Sequence, residues 1–214
     1  MTSYLDAQNI MRKHFIGLKE LASIADEFGL PELSPDSIPE IHFHEDMLRE
    51  KAESHLLILG MKRFKDGTPM TINAIRARVG MDPAQHEPCM YHQDWYLKER
   101  FAEMVTPELR WYLIGRHVFP ETRGVMPDMI ESTLEEGTGF PTAVVATYTF
   151  FVTSMLWKDT FLWKHDYIWC DDKDHQGDRI YVGRYEDKEK INQHGFNIHR
   201  HLSIKPLYGA VDVR

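Results

Sequence analysis

The residues best suited to chemistry lie in the last quarter of the chain. Phe196-Asn-Ile-His-Arg-His-Leu-Ser-Ile204 alternates apolar and polar types, the pattern of a strand with one face in a core. In that register Phe196, Ile198, Leu202 and Ile204 share one face, while Asn197, His199, His201 and Ser203 line the other. Imidazoles two positions apart on a strand project the same way, so His199 and His201 can share a metal ion or an anion. Zinc, iron or copper would still need a third ligand, and His194, His175 and Asp178 are the nearest candidates in sequence. Tyr181 and Arg184, on the preceding segment, add a phenol and a guanidinium. With His199 and His201 they form the candidate catalytic group of a hydrolase held on rigid strands.

Asp172-Lys-Asp-His-Gln-Gly-Asp178 is similar to the opening of a calcium loop, with carboxylates at the first and third positions and glycine at the sixth. Asp172, Asp174 and Asp178 therefore join His199 and His201 as candidate metal ligands, and a divalent metal is the cofactor the sequence admits. Gly183 stands where such a loop needs a bidentate glutamate, and no helices flank it. The same residues also suit a hairpin turn with Gly177 in the left-handed conformation. His201-Leu-Ser-Ile204 matches half of the two-histidine phosphoesterase signature, whose acid and base roles need a second copy that the sequence lacks. Asp166 or Asp178 with Glu186-Asp-Lys188 superficially resembles the acidic pair plus lysine of magnesium-dependent nucleases, and reads more simply as a charged loop. Ile41-His-Phe-His-Glu45 holds a second His-x-His at a helix start, where Glu45 and Asp46 suit the positive helix end. Neither Cys89 nor Cys170 has a nucleophile's setting, and no phosphate-binding glycine loop occurs.

The elements that must position these groups follow from periodicity. Residues 4–28 carry helical spacing, with Leu5, Met11, Phe15, Leu18, Leu21, Ala25 and Phe28 on one face, Ser3 as cap and Gly29 as terminator. A second helix is expected over 45–59 from Met47, Leu48, Ala52, Leu56 and Leu59. Thr68-Pro69 reads as the start of a short helix closed by Gly80, and Asp94 as the cap of another. Leu109 to Phe119, bracketed by prolines, predicts a strand. Pro141 to Trp157 is apolar nearly all round and belongs in a core as a helix; it is too short and too rich in threonine for a bilayer span, which takes about 20 apolar residues. Tyr167 to Cys170 and Arg179 to Tyr185 then form a hairpin, with Phe196 to Ile204 returning beside it.

Helices followed by strands predict an α+β fold: a mostly helical N-terminal two-thirds packed on a small antiparallel sheet from the C-terminal third. The 214 residues contain no Ser/Gly/Pro-rich linker, so 1–214 reads as one domain, helical over about 1–160 with the sheet over about 161–208. A net charge of −8 disfavours nucleic acid as a partner and leaves a small-molecule or protein ligand. Two cysteines give no disulfide framework, and the first residues lack the basic and apolar pattern of a secretory signal, so the expectation is a cytoplasmic protein without a membrane span. The function expected is ligand or metal binding on the C-terminal sheet, with hydrolysis as the enzymatic form and a non-catalytic binding or interaction module as the alternative.

Overall fold

The computed structural model describes residues 1–158, 160–185, 195–200 and 204–214. Ser3 accepts a hydrogen bond from the Asp6 amide and starts α1 (Tyr4–Met11), and Gly29, at φ +73°, closes α3 (Ala25–Phe28). Both caps are where the sequence puts them, but the chain between is not one helix. A 3-10 turn at Arg12–His14, strand β1 (Phe15–Ile16) and α2 (Leu18–Ser23) interrupt it. Gly17 makes the reversal possible: a Cβ there would lie 2.3 Å from Tyr4 Oη and 2.5 Å from the Phe15 ring. The Leu18 amide instead donates to Tyr4 Oη, tying α2 back to α1. Leu5, assigned to the apolar face of the longer helix, is exposed.

The helix expected over 45–59 also stops early. α4 (Glu45–Lys51) ends before β2 (His55–Leu59), whose five residues are all buried. A short continuous apolar run fits a fully covered strand as well as a helix, and periodicity cannot separate the two. Thr71, rather than Thr68, caps α5 (Ile72–Val79), and the helix anticipated after Asp94 shrinks to α6 (Arg100–Glu103) behind Glu99. β3 (Trp111–Gly115) is the strand predicted between the prolines. It pairs antiparallel with β2, while β1 pairs parallel with it, giving a sheet of order β1-β2-β3.

After α7 (Pro127–Glu131) and α8 (Ala143–Trp157) comes the second sheet: β4 (Tyr167–Lys173), β5 (Arg179–Tyr185), β6 (Gly195–Arg200) and β7 (Tyr208–Gly209), in the order β6-β5-β4-β7. β7 runs parallel to β4 and the other pairings are antiparallel. The expected layout of a helical N-terminal part on one antiparallel C-terminal sheet is therefore corrected. The chain is α+β with two mixed sheets, and its strands are spread along the sequence. The apolar runs at 15–16 and 55–59 satisfy helical spacing as well as that of a covered strand, and β7 adds a parallel edge to the C-terminal sheet.

α8 touches both sheets. Every residue from Ala143 to Met155 is buried. Tyr148 donates to the Leu59 carbonyl of β2 at 2.9 Å, and Phe150 and Phe151 pack on Phe196 of β6 at ring distances of 4.5 and 5.8 Å. Two of its hydroxyls bond back along the helix, Thr147 to the Ala143 carbonyl and Thr153 to that of Thr149. No helix among the described residues is long and apolar enough to cross a membrane.

One buried polar seam joins β2 to the C-terminal segment. His55 Nδ1 lies 2.8 Å from Ser54 Oγ, and His55 Nε2 lies 2.8 Å from Asp212 Oδ1. Burial raises the Asp212 pKa, but the hydrogen bond and charge of His55, with smaller help from its backbone and Lys51, outweigh burial and hold the carboxyl below its ordinary value. A carboxylate depressed on folding stabilises the protein above its unfolded pKa of about 4, and that contribution is lost as pH falls through the lower folded value. Asp212→Asn should cost roughly 1–3 kcal/mol at neutral pH. In urea titrations the gap between wild type and variant should close on acidification below pH of about 4; a gap constant with pH would refute the ionic part of this account.

Candidate functional site

Alternation along β4, β5 and β6 divides their side chains between two apolar layers. Ile168, Cys170, Ile180, Val182, Phe196 and Ile198 join the main core with α8, while Tyr167, Trp169 and Tyr181 meet Tyr208, Ile130 and Phe140 on the other side. His199 falls on this second face. Its ring stacks on Tyr181 at 5.4 Å with 25° between planes, and it stands edge-on to Tyr167 at 5.7 Å. Asn197 is buried and its Nδ2 donates to the Gly195 carbonyl. The face expected to carry a polar row thus meets an aromatic layer over its first half. His201, Ser203, His194 and Glu186 to Lys188 lie outside the described residues.

Tyr181 and Arg184, grouped as catalytic candidates, are not brought together. Tyr181 is buried with its phenol 3.3 Å from that of Tyr208, and burial followed by this hydrogen bond pushes its pKa far above the usual tyrosine value. It holds its proton at neutral pH. Arg184, three positions on, emerges on the opposite face, pairs with Glu87 and covers the Phe161 ring at 4.0 Å. The odd spacing between 181 and 184 already carried this information, because strand parity alternates.

The three hairpin aspartates also part company. Asp172 turns to the start of α8, where its Oδ2 accepts from the Ala143 amide at 2.6 Å. Burial dominates there and raises its pKa despite that bond. Asp178 is half-buried, and its amide donates to Asp174. Asp174 is buried at the turn itself: Oδ1 accepts from the Gln176 and Asp178 amides at 2.9 Å each, and Oδ2 accepts from Arg200 Nη1 at 2.9 Å. Burial alone would raise its pKa; Arg200 and the two amides prevail and lower it. Gly177 supplies the left-handed residue of the turn, at φ +90°.

Next to Asp174 the structure builds a cluster that crosses the fold. Glu99, buried at the start of α6, accepts the His175 amide on Oε2 at 3.0 Å and the His175 ring Nδ1 on Oε1 at 2.5 Å. Glu99, Asp174 and His175 each present a ligand atom within 4.8 Å of the others, the one such acidic and histidine group among the described residues. Nδ1, which donates to Glu99, is the ring nitrogen turned toward that carboxylate, and a cation shared with Glu99 would take the place of its proton. Arg200, its guanidinium 5.1 Å from the Trp95 ring, borders the cluster and supplies positive charge beside it. Two carboxylates and one imidazole suit zinc or manganese.

Of the predicted ligands, then, Asp174 belongs to this group, His175 joins it from the wider candidate set, Asp172 bonds the start of α8, and Asp178 contributes its amide to Asp174. His199 lies on the aromatic layer, and neither His42 nor His44 takes part in a ligand group with the described histidines. Glu99 and Arg200 were missed. Glu99 is 76 positions from its partner and carries no local motif, and Arg200 sits between the two histidines that drew attention first. Cys89 and Cys170 are buried; burial lifts the Cys89 thiol to about 11 and the Cys170 thiol well above its usual value, so neither is a ready nucleophile.

Comparison with known proteins finds no matching family model, no matching curated protein and no matching solved structure. The functional reading rests on this geometry alone.

The division of labour among the aspartates is testable. Asp172→Ala removes an acceptor from the first turn of α8 and should cost about 1 kcal/mol of stability in thermal or urea unfolding. It should leave metal titration of the protein unchanged, whereas a loss of metal binding would return Asp172 to the ligand set.

Proposed function

We propose that this protein binds a divalent cation at Glu99, Asp174 and His175, and that the metal with Arg200 holds an anionic small molecule. The supporting observation is the meeting of two carboxylates and an imidazole, from segments far apart in sequence, within 4.8 Å. Glu99 and Asp174 offer carboxylates, and His175 offers the ring nitrogen turned toward Glu99, a cation there taking the place of the proton that Nδ1 now donates. Arg200 now neutralises Asp174. A cation there takes over that task and leaves the guanidinium to meet an anionic oxygen of the ligand. When bound, such a metal supplies Lewis acidity and an acidified water, which makes hydrolysis the reaction class of the site.

A non-catalytic role is the second reading, favoured by the saturation of Asp174, whose two oxygens already accept from two amides and Arg200. In that reading the cluster is a clasp between the start of α6 and the β4–β5 turn, and the metal strengthens it.

Calorimetric titration of metal-stripped protein with Zn²⁺ and Mn²⁺ separates these outcomes from no site at all. The expected result is one saturable site per chain, weakened about tenfold or more by Glu99→Gln and by His175→Ala. No saturable binding, or binding indifferent to both substitutions, refutes the proposal. Metal-dependent turnover of a chromogenic phosphate or carboxylate ester, lost in the same variants, favours the enzyme over the clasp.

A further inference from the structure

The 3-10 turn after α1 places three basic residues in succession, Arg12, Lys13 and His14, in a chain whose net charge is −8. His14 is 3% exposed. Its Nδ1 lies 2.6 Å from the Ala52 carbonyl and must donate to it, which fixes the tautomer and leaves Nε2 as the free nitrogen. That Nε2 is buried and has no hydrogen-bond partner among the described residues. A buried polar atom without a partner calls for an explanation, and an unbound ligand is one.

The surroundings supply another part of it. His14 lines two adjoining depressions. One, of about 290 Å³, is walled by Lys13, His14, Arg116, Trp157 and Thr160. The other, of about 640 Å³, runs past Arg12, Lys13, Arg49 and Glu53. Arg116 donates through Nη1 to the Glu53 carbonyl, keeps an unpartnered Nε, and lies 5.9 Å from the Trp157 ring. Arg49 is paired with Glu45. Among the described residues, Lys13 and Arg116 form no ion pair with any carboxylate, although the Glu53 charge lies near enough to act on both His14 and Arg116. Burial lowers the pKa of His14, and the nearby charges of Arg116 and Lys13 lower it further against the opposite pull of Glu53 and the Ala52 bond. Mutually repelling basic groups around a small cavity are relieved by an anion.

We propose that Lys13, His14 and Arg116 form a binding site for a phosphate monoester whose planar organic part lies against Trp157. A phosphate fits better than a carboxylate because it presents more acceptor oxygens to an ammonium, a guanidinium and an imidazole arriving from separate segments. The indole offers a face for an aromatic ring. This site shares no residue with the Glu99, Asp174 and His175 cluster, so either can fail without the other.

The test is calorimetric titration of the full chain with adenosine monophosphate, inorganic phosphate and benzoate. The expected result is one saturable site for the mononucleotide, weaker binding of inorganic phosphate and weaker still of benzoate. Lys13→Gln, a change at the exposed surface, should weaken the mononucleotide by about tenfold while unfolding and Zn²⁺ titrations stay as in wild type, and Arg116→Gln, which also gives up the bond to the Glu53 carbonyl, should weaken it at least as much while the Zn²⁺ titration stays unchanged. Trp157→Leu should weaken the mononucleotide and leave inorganic phosphate unchanged. Absence of saturable binding, benzoate binding as tightly as phosphate, or affinities indifferent to Arg116→Gln and Lys13→Gln would each overturn the proposal.

Discussion

Everything in this fold leans on a helix that has no wet side. Ala143 to Met155 of α8 are covered on every face, so the rest of the chain must be arranged as a jacket around that segment. Tyr148 fastens it to β2 and the Phe150–Phe151 pair fastens it to β6. The two sheets share no strand, and α8 is where both find a common apolar surface. Of its hydroxyls, Thr147, Thr153 and Ser154 bond to carbonyls one turn back, while Thr149 Oγ1 is buried with no hydrogen-bond partner among the described residues.

Around this apolar centre, polar groups are spent on seams between segments that are remote in sequence. His55 meets Asp212, Asp172 meets the first turn of α8, Glu99 meets His175, and Arg184 meets Glu87. Buried or half-buried charge is tolerated only when paired, and each pair fixes the approach of two elements. A reader of the sequence sees the individual residues and expects them to act with their neighbours. The fold sends most of them elsewhere.

That is why the sequence was legible for elements with punctuation and poor for those without. Ser3, Gly29 and Gly80 marked true helix boundaries, the prolines framed β3, and the hairpin with Gly177 was visible from its turn residues. Phe15-Ile16 and His55 to Leu59 had no such marks, and their apolar content was absorbed into helices. At the candidate site, Asp174 and His175 were legible because a turn concentrates polar residues. Glu99 and Arg200 were not, because their positions depend on where α6 and β6 come to rest. Tyr181 and Arg184 fall on opposite faces because side chains alternate along a strand, a consequence of their odd spacing.

The outer rim of β6 is closed by main-chain and side-chain partners from the segment before α6. The Phe196 amide donates to the Cys89 carbonyl, its carbonyl receives the Tyr91 amide, and the Ile198 carbonyl takes both Gln93 Nε2 and Trp95 Nε1. Gly195 lets this strap lie flat, since a Cβ would come within 2.5 Å of the Tyr91 nitrogen. At Phe196 and at the Ile198 carbonyl the outward main-chain groups are already taken, so the sheet's growth from one molecule to the next is opposed on that stretch by the protein's own chain.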